Sequence, residues 1–182
     1  MQVRSATAAD TGAIAALHRD AFGPWEGDVI ADLVAKLLTD KSALPLLSLL
    51  AEEEGRVVGH ALFSRVEPGA KNPGVAARIL SPLGVASRHQ RRGIGEALVR
   101  TGLTRLQNDR VGLIFVLGNP DYYSRFGFVA ATGLGLDPPH PLPEDWRDAW
   151  MVLFMDAGLK DRISTGTVLC SRVLGQAHYW QE

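Results

Sequence analysis

The chain has 182 residues, of which 46% are hydrophobic and 21% are charged, and its formal net charge is −1. These values are typical of a single globular domain that is large enough to bury a core. A charge so close to neutral argues against partners recruited by a long-range field, such as nucleic acid or an anionic membrane. Cys170 is the only cysteine, which excludes an intrachain disulfide and a cysteine metal cluster, and we expect no bound metal.

The N-terminal residues and the most apolar run indicate where the protein resides. The segment Met1-Gln2-Val3-Arg4 lacks the apolar core of a secretory signal. The most apolar run, residues 43–51, contains Pro45 and is too short to span a bilayer. We therefore expect a cytoplasmic protein that does not enter a membrane.

The first half of the chain predicts strands and a pair of helices. Four segments have the apolar patterns of strands: residues 2–6, 46–53, 56–66 and 77–85. Between the first two, Thr7 to Asp10 has the spacing of a capping box, which predicts the start of a helix. Gly23-Pro24 interrupts this helix, and a second helix with one apolar side follows, ending near Leu38.

The second half predicts a further helix between strands. The apolar residues from Ile94 to Leu106 recur at the three-to-four-residue interval of a helix, and residues 111–117 indicate a strand. A strand, a helix and a strand in this order predict a right-handed crossover between two parallel strands. Beyond a proline-rich loop at 138–143, two last strands are predicted at 151–155 and 165–174. The pattern predicts an α/β protein with a mixed, strongly twisted sheet and helices on both faces.

The turn between the strand at 77–85 and the following helix is basic and rich in glycine, reading Gln-Arg-Arg-Gly-Ile-Gly from Gln90 to Gly95. Glycine lets the backbone approach a ligand, and the free N–H groups of a helix's first turn favour an anion such as phosphate. The spacing is not that of a Walker loop, and Leu98 stands where a dinucleotide fingerprint needs its third glycine. Taken alone, the motif is also compatible with an ordinary strand-to-helix turn.

Two motifs in this order resemble one family. Residues 85–95 closely resemble the coenzyme A pyrophosphate loop of the GNAT superfamily of N-acetyltransferases. Residues 118–128 (Gly-Asn-Pro-Asp-Tyr-Tyr-Ser-Arg-Phe-Gly-Phe) resemble the Tyr-x-x-x-Gly-Phe signature that closes the same site. They are most similar to a bacterial subgroup that reads Leu-Gly-x-Pro-x-Tyr-Tyr-x-Arg-Phe-Gly-Phe. The resemblance covers residues 2–130 and implies one acyltransferase domain over 1–182, with a divergent C-terminal part from 131 to 182.

The resemblance implies transfer of an acetyl group from acetyl-CoA to a primary amine, by direct attack in a ternary complex. It also implies splayed central parallel strands, with the pantetheine arm of the cofactor bonded to one of them. The implied cofactor-binding residues are Leu83, Gly84, Val85, Gln90, Arg91, Arg92, Gly93, Ile94, Gly95, Asn119 and Tyr123. Arg91 departs from the commoner pattern, which has glycine there, and its side chain either pairs with a phosphate or lies in solvent.

Tyr123 is the implied catalytic residue, as the hydrogen-bond donor to the leaving thiolate. Tyr122 is adjacent, and two consecutive helical side chains point about 100° apart, so one of them faces the cofactor. The alternative for Tyr123 is packing against the pantetheine arm alone. The alternative for Asn119 is capping of the helix that begins at Pro120.

The acceptor is expected to be a small-molecule or peptide amine. Trp25, Glu26 and Asp28, between the two helices, and the segment 138–150, with His140 and Trp146, are candidate acceptor contacts. No general base is assigned; the candidates are Glu52, Glu67, His60, His89 and His140, each also explained as a surface or core residue.

Three questions stay open at this level. The chain is either a monomer or a homodimer. A catalytically silent acyl-CoA-binding sensor on the same fold is the alternative to an enzyme, and it would not need a proton donor at Tyr123. A dinucleotide-binding domain is a further alternative, weakened by the missing third glycine.

Overall fold

The computed structural model describes residues 1–180, which form nine strands and three α-helices joined by turns and short 3-10 segments. The strands are β1 (Gln2–Ser5), β2 (Leu47–Glu53), β3 (Arg56–Val66), β4 (Ala77–Val85), β5 (Leu113–Leu117), β6 (Val129–Ala130), β7 (Leu136–Asp137), β8 (Trp150–Phe154) and β9 (Gly166–Thr167). Seven of them form one sheet in the order β1-β2-β3-β4-β5-β8-β6, in which β4 and β5 are parallel and the other neighbours antiparallel. The predicted mixed sheet, with a parallel pair around the crossover helix, is confirmed.

The helices are α1 (Thr11–Thr39), α2 (Ile94–Asn108) and α3 (Pro120–Tyr123). The chain enters α1 through a short turn in which the Asp10 carboxylate accepts a hydrogen bond of 2.7 Å from the Thr7 N–H. At Gly23 the backbone leaves the helical region (φ 73, ψ −167), and Pro24 begins the second half of α1. The Gly-Pro break predicted from the sequence is therefore a kink between two helical halves.

Helices cover both faces of the sheet, as predicted. On one face, α1 buries Ile14, Val34 and Leu37 against the sheet, together with residues from the C-terminal segment. On the other face, α2 buries Leu98 and Val99. Each fully buried aliphatic side chain of this kind contributes roughly 1.5–3 kcal/mol relative to an exposed one, so the two apolar layers hold the helices against the sheet.

The two parallel strands separate at one end. The β4–β5 pairing runs from Ala77 opposite Leu113 to Leu80 opposite Val116, while β4 continues along β3 as far as Val85. Residues 81–85 thus extend past the end of this ladder. The β3–β4 register shifts near Ser81-Pro82, between the partners of Ala61 and Phe63. The shift reverses the alternation of side chains, so Leu83 and Val85 face α2 while Gly84 faces α1.

The predicted last strand at 165–174 is mostly wrong. Only Gly166–Thr167 forms β9, in a two-residue parallel pair with β7, and one further bridge joins Leu169 to Glu67. Past it, the backbone N–H groups of Arg172 and Val173 donate to the side chains of Ser42 and Asp40, beyond the end of α1. Side chains, and not a neighbouring strand, satisfy these donors, which explains why an apolar sequence fails to extend a strand here.

The C-terminal segment folds back onto the α1 face of the sheet. Trp180 donates from its indole N–H to the Leu174 carbonyl at 2.6 Å, and its ring lies 5.6 Å from that of Trp150. Trp150 in turn stacks on Phe115 of β5 at 5.2 Å. Across residues 1–180, no helix combines the length and the apolar character that a bilayer crossing requires.

Candidate functional site

A cleft of about 550 Å³ opens between the splayed end of β4 and the start of α2. We call it the α2 cleft. Its lining residues are Leu83, Val85, Gln90, Arg91, Gly93, Ile94, Gly95, Glu96, Tyr122 and Arg125. Most of the residues implied for the cofactor thus lie together, although Gly84, Arg92, Asn119 and Tyr123 are outside this lining. A depression of similar volume along residues 65–78 lies away from the start of α2.

The glycine turn is held in a left-handed conformation that opens the first turn of α2 to the cleft. Arg91 and Gly93 have positive φ values of 61 and 81, and Gly93 caps α2. The Gln90 side chain donates to the Val85 carbonyl at 3.1 Å, which fastens the turn to β4. The space that a side chain on Gly93 would occupy is open. A ligand can therefore approach the backbone N–H groups at the start of α2.

The electrostatics of the α2 cleft favour a compact anion. Arg91 and Arg125 both line it, beside the positive end of the α2 dipole. Glu96 is the one acidic residue of the lining, and its carboxylate accepts a 2.8 Å hydrogen bond from Arg100 one turn later. The Arg92 side chain points elsewhere and pairs with Glu53 at 3.1 Å, so its predicted part in binding can come only from its backbone.

The two adjacent tyrosines have different surroundings. Tyr122 lines the α2 cleft, and its hydroxyl lies 2.8 Å from the point where a Cβ on Gly95 would stand. Tyr123 is buried, with 8% of its surface exposed, and packs against Gly118, directly after β5. Its ring lies 5.7 Å from that of Phe128. Burial raises the pKa of the Tyr123 phenol well above its usual range and also raises that of Tyr122, so both are protonated at neutral pH.

Arg125 is a cleft residue for which the sequence motif predicted no role. Its guanidinium carbon lies 4.7 Å from the ring centroid of Tyr122, three residues earlier on the same helical segment. Side chains three residues apart on a helix share one side. The Tyr-x-x-Arg spacing was therefore a usable signal that both side chains face the cleft together.

Asn119 caps a helix, which was the alternative to a cofactor contact for this residue. Its side-chain oxygen accepts a 2.8 Å hydrogen bond from the Asp121 N–H, and so caps α3 at its start. The residue lies outside the lining of the α2 cleft. Its capping role is therefore observed, while a contact with a cofactor stays a prediction.

A second cleft, of about 570 Å³, opens on the α1 side of the sheet, at the end of β5. We call it the α1 cleft. It is lined by Glu26, Val29, Ile30, Leu117, Gly118, Trp146, Ala149, His178 and Tyr179. Two of the residues considered for the acceptor, Glu26 and Trp146, are among them. Trp25 instead is 91% exposed, Asp28 pairs with Arg19 at 2.6 Å, and the His140 ring donates to the Gly175 carbonyl at 2.7 Å.

The carboxylates considered as general bases are engaged in surface ion pairs. Glu52 is bound by Arg4 at 2.7 Å, and Glu67 by Arg65 at 3.0 Å. The hydrogen bond from Arg4 lowers the pKa of Glu52 below its usual value, which makes this carboxylate a weaker base. His60 instead is fully buried and hydrogen-bonded to His18 of α1, a residue for which the sequence analysis proposed no role. Residues 1–180 contain no group of three or more His, Cys, Asp or Glu side chains placed to hold a metal ion.

Comparisons with known proteins agree with this architecture. The family described as "Acetyltransferase (GNAT) domain" matches residues 2–131. The chain is 41% identical to the uncharacterized N-acetyltransferase YjhQ of Escherichia coli K12 over 142 residues, which cover 78% of this chain and 77% of YjhQ. It is 33% identical to the uncharacterized N-acetyltransferase YhbS of the same strain over 132 residues, covering 72% and 75% of the two chains.

Solved structures extend the similarity to nearly the whole chain. The crystal structure of YhbS from Escherichia coli in complex with CoA has a TM-score of 0.78 and 28% identity, and the match covers 94% of this chain and 95% of that one. A GNAT family acetyltransferase from Brucella melitensis in complex with acetyl-CoA has a TM-score of 0.74 and 27% identity, with 95% and 97% covered. The splayed strands, the glycine turn at the start of α2 and these matches together show that the chain belongs to the GNAT family of N-acetyltransferases.

Proposed function

We propose that this protein transfers the acetyl group of acetyl-CoA to a primary amine by direct attack in a ternary complex. The observation that carries the proposal is the position of the two clefts around the splayed strands. The α2 cleft includes Leu83 and Val85 of β4, and the α1 cleft includes Leu117 and Gly118 at the end of β5. A donor and an acceptor entering from the two clefts would meet where β4 and β5 separate.

Acetyl-CoA fits the α2 cleft by its charge and its shape. The N–H groups of the turn and the guanidinium groups of Arg91 and Arg125 would neutralise the pyrophosphate. The backbone of residues 83–85, beyond the end of the β4–β5 ladder, would bond the amide groups of the pantetheine arm. A free backbone N–H there would stabilise the oxyanion, a donor whose loss typically costs on the order of a hundred- to a thousandfold in rate.

The two tyrosines would then have separate tasks. Tyr123 packs against Gly118 at the separating strands, so we retain it as the donor to the leaving thiolate sulfur. Tyr122 has its hydroxyl beside Gly95, in the first turn of α2, which suits a contact near the pyrophosphate. The raised pKa of Tyr123 keeps its phenol protonated, as a hydrogen-bond donor to the developing thiolate requires.

The acceptor would enter through the α1 cleft. Its lining combines apolar and aromatic side chains with one carboxylate, that of Glu26. Such a lining suits a small-molecule or peptide amine that carries an apolar group, with the carboxylate attracting the amine at the entrance.

Release of coenzyme A from acetyl-CoA, measured against a panel of primary amines, tests the proposal. At least one amine should accelerate release and gain an acetyl group detectable by mass spectrometry. Acetyl-CoA at about 100 times its dissociation constant should stabilise the fold by about 2.7 kcal/mol, while NAD should not. Stabilisation without acetylation of any amine would favour the silent sensor, and stabilisation by NAD alone would contradict the family-based mechanism.

A further inference from the structure

Three polar side chains, two of them buried, form a chain of hydrogen bonds on the α1 face of the sheet. The Nε2 atom of His18, on α1, lies 2.8 Å from Nδ1 of His60, on β3. The Nε2 atom of His60 lies 2.9 Å from the Ser48 hydroxyl, on β2. Both imidazoles are fully buried, whereas Ser48 is partly exposed. The chain therefore runs from the interior towards solvent at Ser48.

The inner end of this chain lacks a partner. Nδ1 of His18 is buried and has no hydrogen-bond partner within residues 1–180. A buried N–H without a partner is rarer in proteins than an acceptor without one. The favoured arrangement is thus the one in which His18 donates from Nε2 to His60, and His60 donates from Nε2 to Ser48. Nδ1 of His18 is then a bare lone pair.

That lone pair faces the end of β4 that separates from β5. A Cβ on Gly84 would stand 2.8 Å from Nδ1 of His18, so glycine is the residue that allows the β4 backbone to lie this close to the buried nitrogen. Gly84 lies opposite His60 in the β3–β4 ladder and beyond the last β4–β5 pair. The proposed function brings the thioester carbonyl to this place, with the amine approaching from the α1 side.

We propose that His18 is the general base of the transfer, and that His60 and Ser48 carry the abstracted proton towards solvent. This assignment rests on the proposed acetyl transfer. As the amine nitrogen bonds to the carbonyl carbon, its surplus proton moves to Nδ1 of His18. The Nε2 proton of His18 passes to Nδ1 of His60, the Nε2 proton of His60 passes to Ser48, and the hydroxyl proton of Ser48 leaves to water.

The C–S bond breaks, the sulfur accepts the proton of the Tyr123 phenol, and Tyr123 recovers a proton from water. The products are an amide and the free thiol of coenzyme A. After product release, protons move from water at Ser48 through His60 to His18, and the Nδ1 proton of His18 leaves to the emptied site. This return step restores bare Nδ1 on both imidazoles and closes the proton balance. Burial lowers the pKa of His18 to about 4 and that of His60 to about 3, so neither imidazole holds a stable charge. A chain that forwards the proton works with such side chains, whereas a single isolated base would not.

The tautomers of the two histidines can be measured without an acceptor. Long-range ¹⁵N–¹H correlation spectra of the wild-type protein should show Nε2–H and bare Nδ1 for both His18 and His60, assigned with His18→Gln and His60→Gln. An Nδ1–H tautomer at His18 would overturn the assignment, because the proposed acceptor atom would already carry a proton. That result would leave acetyl-CoA binding, and thus the proposed function, unaffected.

Kinetics test the same chain with 2-phenylethylamine as the probe acceptor, because the α1 cleft is apolar and aromatic. His18→Gln preserves a donor towards His60 but removes the base, and it should lower kcat on the order of a hundredfold, with the KM of acetyl-CoA close to wild type. Ser48→Ala should also lower kcat, because it interrupts the hydrogen-bond chain at its solvent end while both imidazoles stay in place. The control is His140→Gln, which removes a ring bonded to the Gly175 carbonyl and should leave kcat unchanged.

The double variant separates a relay from a packing role. Residues that act as one unit have non-additive effects, so His18→Gln combined with Ser48→Ala should be hardly slower than His18→Gln alone. Wild-type turnover in either single variant would contradict the relay, as would effects that multiply in the double variant. If His18→Gln fails to fold, Ser48→Ala and the wild-type tautomers still decide the question.

Discussion

The hydroxyl of Tyr122 lies 2.8 Å from the position that a Cβ on Gly95 would take. Gly95, in the first turn of α2, is therefore required by its contact with Tyr122 of α3, in addition to any contact with a ligand. The Tyr122 ring is held edge-on against those of Tyr123 and Phe126, at 5.0 and 5.5 Å, so it has little freedom to move away.

The first prediction follows from this contact. Gly95→Ala should destabilise the fold by about 1–3 kcal/mol, because the new methyl group overlaps the hydroxyl. Adding Tyr122→Phe removes the overlap and should recover most of the loss in a chemical denaturation experiment. If the double variant is as unstable as Gly95→Ala, the contact does not explain the glycine.

Substitution of three arginines near the α2 cleft should distinguish those whose side chains bind the cofactor from the one whose side chain does not. Arg91→Ala and Arg125→Ala should each weaken acetyl-CoA binding several-fold and make it less sensitive to salt, since both side chains line the α2 cleft. Arg92→Ala is the matched control, because its guanidinium pairs with Glu53 outside the cleft. Titration calorimetry at two salt concentrations measures all three. An Arg92→Ala effect as large as that of Arg91→Ala would contradict the placement of these side chains.

Substitutions in the segment 138–150 that reach the α1 cleft should change the KM of the acceptor amine and not that of acetyl-CoA. Trp146 lines the α1 cleft, so Trp146→Ala should raise the KM of the acceptor amine more than that of acetyl-CoA. His140 lies in the same loop, but its ring is bonded to Gly175 away from that cleft, and His140→Ala should leave both values near wild type. Equal changes in the two KM values for Trp146→Ala would indicate a structural role for the tryptophan.

Substitution of Tyr123 should mainly affect the rate of transfer, and substitution of Tyr122 should mainly affect the affinity for acetyl-CoA. Tyr123→Phe retains the buried ring and removes the proposed donor, so single-turnover acetylation should slow on the order of a hundredfold with nearly normal acetyl-CoA affinity. Tyr122→Phe should change turnover less and affinity more, because its hydroxyl lies beside the first turn of α2. A Tyr123→Phe enzyme with an unchanged chemical step would assign the proton to water or to another residue.

The features that the sequence predicted correctly depend on residues close together in the chain. The kink of α1 follows from Gly23-Pro24, and the position of the glycine turn before α2 follows from glycines between a strand and a helix. Strand ends were predicted to within a residue or two where apolar alternation stops at a turn. The clearest failure, the short β9, arose because side chains of Ser42 and Asp40 take the backbone donors that a strand would use.

The remaining features depend on contacts between distant parts of the chain. Periodicity indicates that Tyr122 and Tyr123 point in different directions, but their packing against Gly95 and Gly118 determines which side each one faces. The α1 cleft combines α1, β5, a loop and the C-terminal segment, and no local pattern joins these four. The His18–His60–Ser48 chain likewise needs one helix and two strands to meet, and His18 alone looks like an ordinary polar residue on an apolar helix side.

Calorimetric titration of acetyl-CoA into a matched pair of glycine variants tests the central claim most directly. Gly93 and Gly74 share a φ of 81 and open space around the missing side chain, but only Gly93 lies in the α2 cleft. Both Gly93→Val and Gly74→Val should lose similar stability from backbone strain. Gly93→Val should also lose acetyl-CoA binding by at least about tenfold, because its side chain blocks the approach to α2, while Gly74→Val binds like wild type. Wild-type affinity in a folded Gly93→Val protein would contradict the proposed cofactor site.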